Sequence, residues 1–238
     1  MIRLLIFMLA LPLQAIVWRG DIPEVQTEAK DEMKQVGKVY YSQLKFFGGS
    51  CVALGGKWVL TSRHGTDKWK AGFLKVEFPA LSKKIYEIEK IHFPKTGDLA
   101  LLELKRKVKG AKEIPTFGRK EPKKNQRAWI GGFGLAGKTG KVDRSGDFHA
   151  GHNRVDGMRG GKISISLSKA DDKTCEPQEC VLAMFDSGSP IFLETSSGWQ
   201  LAGIASTATN TTNPKEGDRG GYAPTYPALS WMKKLVKP

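Results

Sequence analysis

The stretch Ser50-Cys51-Val52-Ala53-Leu54-Gly55-Gly56-Lys57-Trp58-Val59-Leu60-Thr61 contains two short β-rich runs, Ser50–Leu54 and Trp58–Thr61, parted by two glycines and a lysine. Branched and aromatic residues favour extended chain, and glycines between them favour a turn. The same texture repeats outward. Val39–Phe47 precedes it, and Leu74–Phe78, Ile85–Ile91, Leu99–Leu104, Ala128–Gly131, Lys162–Leu167, Pro190–Leu193 and Trp199–Ala205 follow. Many short strands at close spacing, with no helices alternating between them, predict an all-β barrel or sandwich rather than a parallel sheet. Only the C-terminus, from about Pro227 through Leu235, reads as a helix.

Composition agrees with a globular chain. Of 238 residues, 40% are hydrophobic and 26% charged, and three are Cys, which excludes a disordered tail, a collagen-like repeat and a disulfide-dense miniprotein. A chain this long buries enough surface to fold without metal or disulfide. The 38 Lys and Arg against 24 Asp and Glu give a net charge of +14. That surplus fits a nucleic-acid partner, an anionic surface or substrate, or a solvated coat.

The N-terminus sets the expected compartment. Met1-Ile2-Arg3 is a short basic start, Leu4 to Leu13 is apolar, and Ala15 is a small residue where signal peptidase would cut. Cleavage there leaves 223 residues and a charge of +13. No later run approaches the roughly 20 apolar residues a membrane helix needs, so no membrane association is expected after signal removal. Asp21 to Glu32 is acid-rich, with Val25, Ala29 and Met33 at steps of four, and predicts a short amphipathic helix or a flexible lead. The expected layout is a signal peptide over 1–15, a lead over 16–35 and a folded domain over 36–238.

Gly132-Phe133-Gly134-Leu135-Ala136-Gly137-Lys138-Thr139 satisfies the phosphate-loop pattern. A phosphate loop needs a helix that begins at the Lys-Thr and aims its N–H groups at the phosphates. Here Gly140, Lys141, Asp143, Arg144, Ser145 and Gly146 follow, a loop composition without an apolar helical face. A Gly-rich turn after a strand, with no nucleotide, is the expectation.

Three other segments supply complementary chemistry. Trp58-Val59-Leu60-Thr61-Ser62-Arg63-His64 places a His after an apolar strand, and Gly97-Asp98-Leu99-Ala100-Leu101-Leu102-Glu103-Leu104 places an Asp before one. Phe185-Asp186-Ser187-Gly188-Ser189-Pro190 places a Ser in a tight turn before another. A Ser hydroxyl becomes nucleophilic when an imidazole takes its proton, and a carboxylate orients that imidazole and stabilises its cation.

At these residues the sequence resembles the trypsin/chymotrypsin-like serine endopeptidases, whose blocks read VLTAAH, D-[IL]-A-L-L and G-D-S-G-G-P. Trp129 to Gly134, Leu201 to Ser206 and Ser230-Trp231-Met232 are similar to the family's GWG strand, LVGIVS strand and C-terminal helix, so the likeness covers about residues 36–235. It implies two six-stranded antiparallel β-barrels with a C-terminal helix. By position it implies His64 as general base, Asp98 as its orienter and Ser187 as nucleophile. The backbone N–H groups of Phe185 and Ser187 would form the oxyanion hole, Val181 the base of the primary pocket, and Ser206, Thr207 and Ala208 the wall that pairs with substrate. Asp186 would receive a freed N-terminus. The predicted mature chain begins Ile16-Val17, the family's activating start, with Trp18-Arg19 where the family has a Gly pair.

Departures from the pattern carry information too. Phe185 stands where the family has Gly, and a side chain at a positive-φ site costs roughly 1–2 kcal/mol. Ser189 in the Ser-Gly-Ser-Pro sequence and Arg63 before the His resemble the bacterial glutamyl endopeptidase branch. Val181 implies small or medium apolar residues at the cleavage site, and the glutamyl likeness implies acidic ones. Cys51 lacks the family's bridging partner, because Gly65 occupies that position, whereas Cys175 and Cys180 would close a small loop in an oxidising compartment. His149 and His152 read as a solvated loop without metal.

Together these readings predict a monomeric, cofactor-free serine endopeptidase, secreted or periplasmic, acting on protein or peptide substrates. The competing expectation is a weak or inactive protease-like protein that binds a partner through its basic surface. No aromatic residues interleave with the basic ones as single-strand nucleic-acid binders require.

Overall fold

Alternation builds the first barrel. Along Leu74-Lys75-Val76-Glu77-Phe78 the apolar residues are buried and the charged ones half-exposed, the period-2 pattern of a strand with one wet face. The computed structural model describes residues 16–21, 32–41, 46–113, 117–144, 147–172 and 175–236. The predicted signal segment and the acidic helix around Val25 and Ala29 lie outside the described residues.

Within them, β1 (Ile16–Trp18) precedes six strands: β2 (Val36–Tyr41), β3 (Phe46–Gly55), β4 (Trp58–Thr61), β5 (Leu74–Phe78), β6 (Ser82–His92) and β7 (Ala100–Leu104). These six close into an antiparallel barrel in the order β2-β3-β4-β7-β6-β5. Its interior holds Val39, Cys51, Val59, Val76, Phe78, Tyr86, Ile88 and Leu102. Each large apolar side chain sealed from water contributes about 1.5–3 kcal/mol.

The chain then forms β8 (Arg127–Gly132), β9 (Leu135–Lys138), β10 (Lys141–Arg144), β11 (His149–Arg159), β12 (Lys162–Ser166), β13 (Cys180–Val181), β14 (Pro190–Thr195), β15 (Gly198–Ala208) and β16 (Arg219–Pro224). A second barrel closes in the order β11-β12-β16-β15-β14-β8. A short helix α1 (Leu229–Leu235) ends the chain, and Met232 buries its apolar side between the barrels with Trp58, Leu101, Phe192 and Ile204. The architecture is the two six-stranded barrels with a C-terminal helix that the resemblance implies.

Within the lead expected over 16–35, β1 lies between β9 and β13 in a four-stranded sheet, and Ile16, Val17 and Trp18 are at most 1% exposed. Their apolar side chains are worth more inside the second barrel's flank than in water. Two expectations change. The Gly132–Thr139 segment, expected as a Gly-rich turn running into a loop, enters the β9–β10 hairpin, and strand β10 follows Thr139. His149 and His152 sit on β11 rather than in a solvated loop. His149 packs edge-on against Trp18, and His152 stacks on Trp129 at 6.0 Å.

Candidate active site

The two barrels meet where β4, β7 and β14 bring three segments together. His64 follows β4 on a turn pinned by Thr66, whose N–H and hydroxyl both donate to the Arg63 carbonyl. Asp98 sits two residues before β7. Ser187 occupies the turn before β14, and its carbonyl accepts from the Ser50 N–H at 2.8 Å. Ser50 Oγ in turn accepts from Phe133 N–H at 3.1 Å, so one small residue of the first barrel holds both the Ser187 turn and the β8–β9 connection of the second. The sequence gives no sign of this role for Ser50.

The tertiary fold turns these segments into a relay. Ser187 Oγ lies 2.9 Å from His64 Nε2, and His64 Nδ1 lies 2.7 Å from Asp98 Oδ2. The His64 backbone N–H donates to Asp98 Oδ1 at 2.9 Å, and the Ser206 hydroxyl donates to Oδ2 at 2.6 Å. Both carboxylate oxygens are thereby engaged. Burial pushes the Asp98 carboxyl up, but hydrogen bonds from His64, Ser206 and the His64 N–H outweigh it and hold the group down at about 2. The Asp98 hydrogen bond raises the His64 pKa, with burial opposing. The result is an ionised carboxylate behind an imidazole that faces a hydroxyl, the arrangement that lets an imidazole accept a hydroxyl proton.

Ser206 reaches Asp98 because β15 bulges there. Ala205 pairs with Tyr222 and Thr207 with Gly221, leaving Ser206 outside the ladder. Thr207 Oγ1 lies over Gly221, where a Cβ would come within 2.6 Å, and Ala208 pairs with Gly220. Val181 is 1% exposed and pairs with Val17 in the second barrel's core. The neighbouring Leu182 rests on Gly220, where a Cβ would meet it at 3.1 Å.

The trypsin family model matches residues 24–232 of this sequence. The chain belongs to the trypsin family of serine proteases. No curated protein matches it closely enough to be counted as a relative.

In this trypsin-family chain Phe185 adopts φ 70°, the conformation a Gly takes readily. Its ring packs on Phe47 at 6.0 Å and against the Val17, Leu135 and Ala183 cluster, which offsets the strain of the left-handed backbone. Gly188 follows at φ 90°, where a Cβ would lie 2.0 Å from the Ser50 carbonyl. Among the described residues, the Ser187 N–H donates to no protein acceptor.

Asp186 is fully buried and accepts N–H groups from Ala183 at 2.8 Å, Gly134 at 3.1 Å and Ile16. Burial drives its pKa up to about 7, although these three donors pull it down. The two cysteines expected to bridge remain thiols. Cys180 on β13 points inward, its Sγ 3.6 Å from the His152 carbonyl and filling the space that Gly151 leaves. Cys175 lies on a half-exposed bend beside the Arg19 guanidinium.

Proposed function

We propose that the protein is an endopeptidase that works through an acyl-enzyme intermediate. The observation that carries this reading is the continuous hydrogen-bond relay from Ser187 through His64 to Asp98. Ser187 Oγ attacks the scissile carbonyl while His64 Nε2 takes its proton, and His64 then returns that proton to the leaving amine. Asp98 keeps the Nδ1–H tautomer and steadies the imidazolium. The Ser187 and Phe185 N–H groups are assigned the role of donating to the oxygen that gains charge in the tetrahedral intermediate. Water releases the acyl group by the same route in reverse.

The rival reading, a protein that binds without cutting, rests on Phe185. Its φ of 70° supports the enzyme, because a positive φ is a conformation that a glycine at this position takes readily. By family position Val181, with Leu182 and Gly220 packed beside it, would put no charge at the base of the primary pocket, which favours small or medium apolar side chains of a protein or peptide substrate. A fluorophosphonate probe tests the chemistry. Labelling that vanishes in Ser187→Ala supports it, and no Ser187-dependent labelling overturns it.

We also propose that export generates the active form. Ile16 holds φ 69°, a costly conformation for a β-branched residue in mid-chain, and directs its N–H to the buried Asp186. Cutting before Ile16 removes the constraint and places an ammonium against the carboxylate. N-terminal sequencing of the exported protein checks this, and a start elsewhere than Ile16 sinks it.

A further inference from the structure

More than half of the chain's surplus charge is concentrated in the connection between the barrels. Residues 105–127 contain ten Lys and Arg against two Glu, a net +8 of the total +14. Some of these cations are spoken for: Lys105 pairs with Glu87 at 2.7 Å, Arg127 with Glu176 at 2.8 Å, and Arg106 lies over the Tyr86 ring. Among the described residues, Lys107, Lys109, Arg119, Lys120, Lys123 and Lys124 make no ion pair, and all six are exposed.

The described parts of the connection are held to both barrels. Val108 is 4% exposed and anchors it to the first barrel, and its N–H donates to the Gly56 carbonyl. Gly118 N–H donates to the Leu201 carbonyl, Asn125 N–H to the Val155 carbonyl at 2.7 Å, and Gln126 Nε2 to the Glu194 carbonyl. Arg119, Lys120, Lys123 and Lys124 line a groove of about 460 Å³ whose other wall is Leu193–Ser196 and Gln200. Lys107 borders a second hollow of about 680 Å³, to which α1 adds Lys233.

This band is remote from the relay. Ser187 lies before Pro190, which opens β14, whereas the groove lies against Thr195, which closes it, a strand length of roughly 17 Å away. His64 likewise follows the last residue of β4, and the second hollow takes in the Gly55–Lys57 turn at its other end. Preorganised cations at a distance from the chemistry would leave the active site open while the far side is held.

We propose that this inter-barrel band is a binding surface for a linear, densely charged acidic polysaccharide, which tethers the protein by its back. Arg119, Lys120, Lys123 and Lys124 fall within six consecutive residues, suiting a ligand with repeated point charges. Glu121 and Glu194 also line the groove and repel an anion locally, so the ligand's charges are met by the four cations beside them. A base-stacking ligand has no foothold there, because the exposed large hydrophobic residues among those described are Trp69 and Ile85, neither of which lines the groove. The same scarcity disfavours insertion into a lipid surface.

Immobilised heparin is the probe, and retention is read without any substrate turnover. The unaltered protein should be retained at physiological ionic strength and released as salt rises. Replacing Arg119, Lys120, Lys123 and Lys124 by Gln should weaken heparin binding at least about a hundredfold, since each cation near an anionic surface contributes on the order of 1 kcal/mol. The control replaces Lys90, Lys95, Lys141 and Lys215 by Gln, exposed cations outside the band, and should cost less than tenfold. Fluorophosphonate labelling of Ser187, measured alongside, should be the same in all three proteins. Equal loss in both variants means diffuse charge and overturns the proposal. So does absence of heparin binding, or tighter binding of a single-stranded DNA of matched charge that depends on the same four residues.

Discussion

Ser206 Oγ donates to the same Asp98 oxygen that faces His64 Nδ1, at 2.6 Å and 2.7 Å respectively. The hydroxyl therefore shares the work of keeping the carboxylate ionised and fixed. Ser206→Ala should lower kcat about tenfold with little change in KM, the scale of one hydrogen bond to a charged group. Asp98→Asn, which imposes the wrong imidazole tautomer, should cost roughly 10⁴. Steady-state kinetics on a peptide ester separates the two.

The Asp98 hydrogen bond raises the His64 pKa above its usual 6.5. Only neutral His64 can accept the Ser187 proton, so activity falls as pH drops through that raised value. The acid limb of the kcat/KM profile should therefore lie above pH 6.5, and Asp98→Asn should shift it to lower pH. A limb that stays put in Asp98→Asn would contradict the assignment.

Phe185 combines a strained backbone with a useful ring. Phe185→Gly should keep kcat within a few-fold, because Gly tolerates the same φ, while losing about 1–2 kcal/mol of stability with the contact to Phe47. Phe185→Val should lower kcat by roughly 10² or more, because a branched residue resists positive φ and turns the N–H away. Urea unfolding together with kcat distinguishes lost packing from a lost oxyanion donor.

Gly188 admits no side chain. A Cβ there would lie 2.0 Å from the Ser50 carbonyl and 2.2 Å from Thr61 Oγ1. Gly188→Ala should push the Ser187 turn off the first barrel, abolishing labelling and costing about 3 kcal/mol or more. Gly140, at φ 84° with open space around it, is the comparison: Gly140→Ala should cost only about 1 kcal/mol and leave labelling intact.

Burial holds Asp186 at about 7 against a usual 3.8 while Ile16 offers it only an amide N–H. A carboxyl that binds its proton more tightly when folded supports stability below its unfolded pKa, and that support is lost as pH rises through about 7. A recombinant chain with a removable extension before Ile16 should thus lose Tm between about pH 4 and 7. Removing the extension supplies an ammonium, and the loss should shrink. Differential scanning calorimetry before and after removal measures it.

The barrels were legible where the strands alternate, as in Leu74–Phe78, or are apolar at all but one position, as in Leu99–Leu104. β11 was not. Its His149-Ala150-Gly151-His152-Asn153 start is polar and Gly-containing, and it becomes a strand because β8, β12 and the stacked Trp129 and His152 rings hold it. Arg219–Pro224 escaped notice for the same reason: Gly220 and Gly221 have poor strand propensity but leave room for Leu182 and Thr207. The expected Cys175–Cys180 bridge failed because spacing along the chain says nothing about where a strand points its thiol.

The sequence by itself determined the all-β class, the family and the identity of the three groups that form the relay, because alternation, turn residues and short local blocks are written in neighbouring positions. Only the tertiary structure decided that Ser206 completes the Asp98 site, that Ser50 clamps the Ser187 turn, that Phe185 accepts a glycine's backbone and that Ile16 reaches Asp186. Those relationships join residues separated by tens to more than a hundred positions. Closing two barrels against each other sets their distances, and no local pattern encodes them.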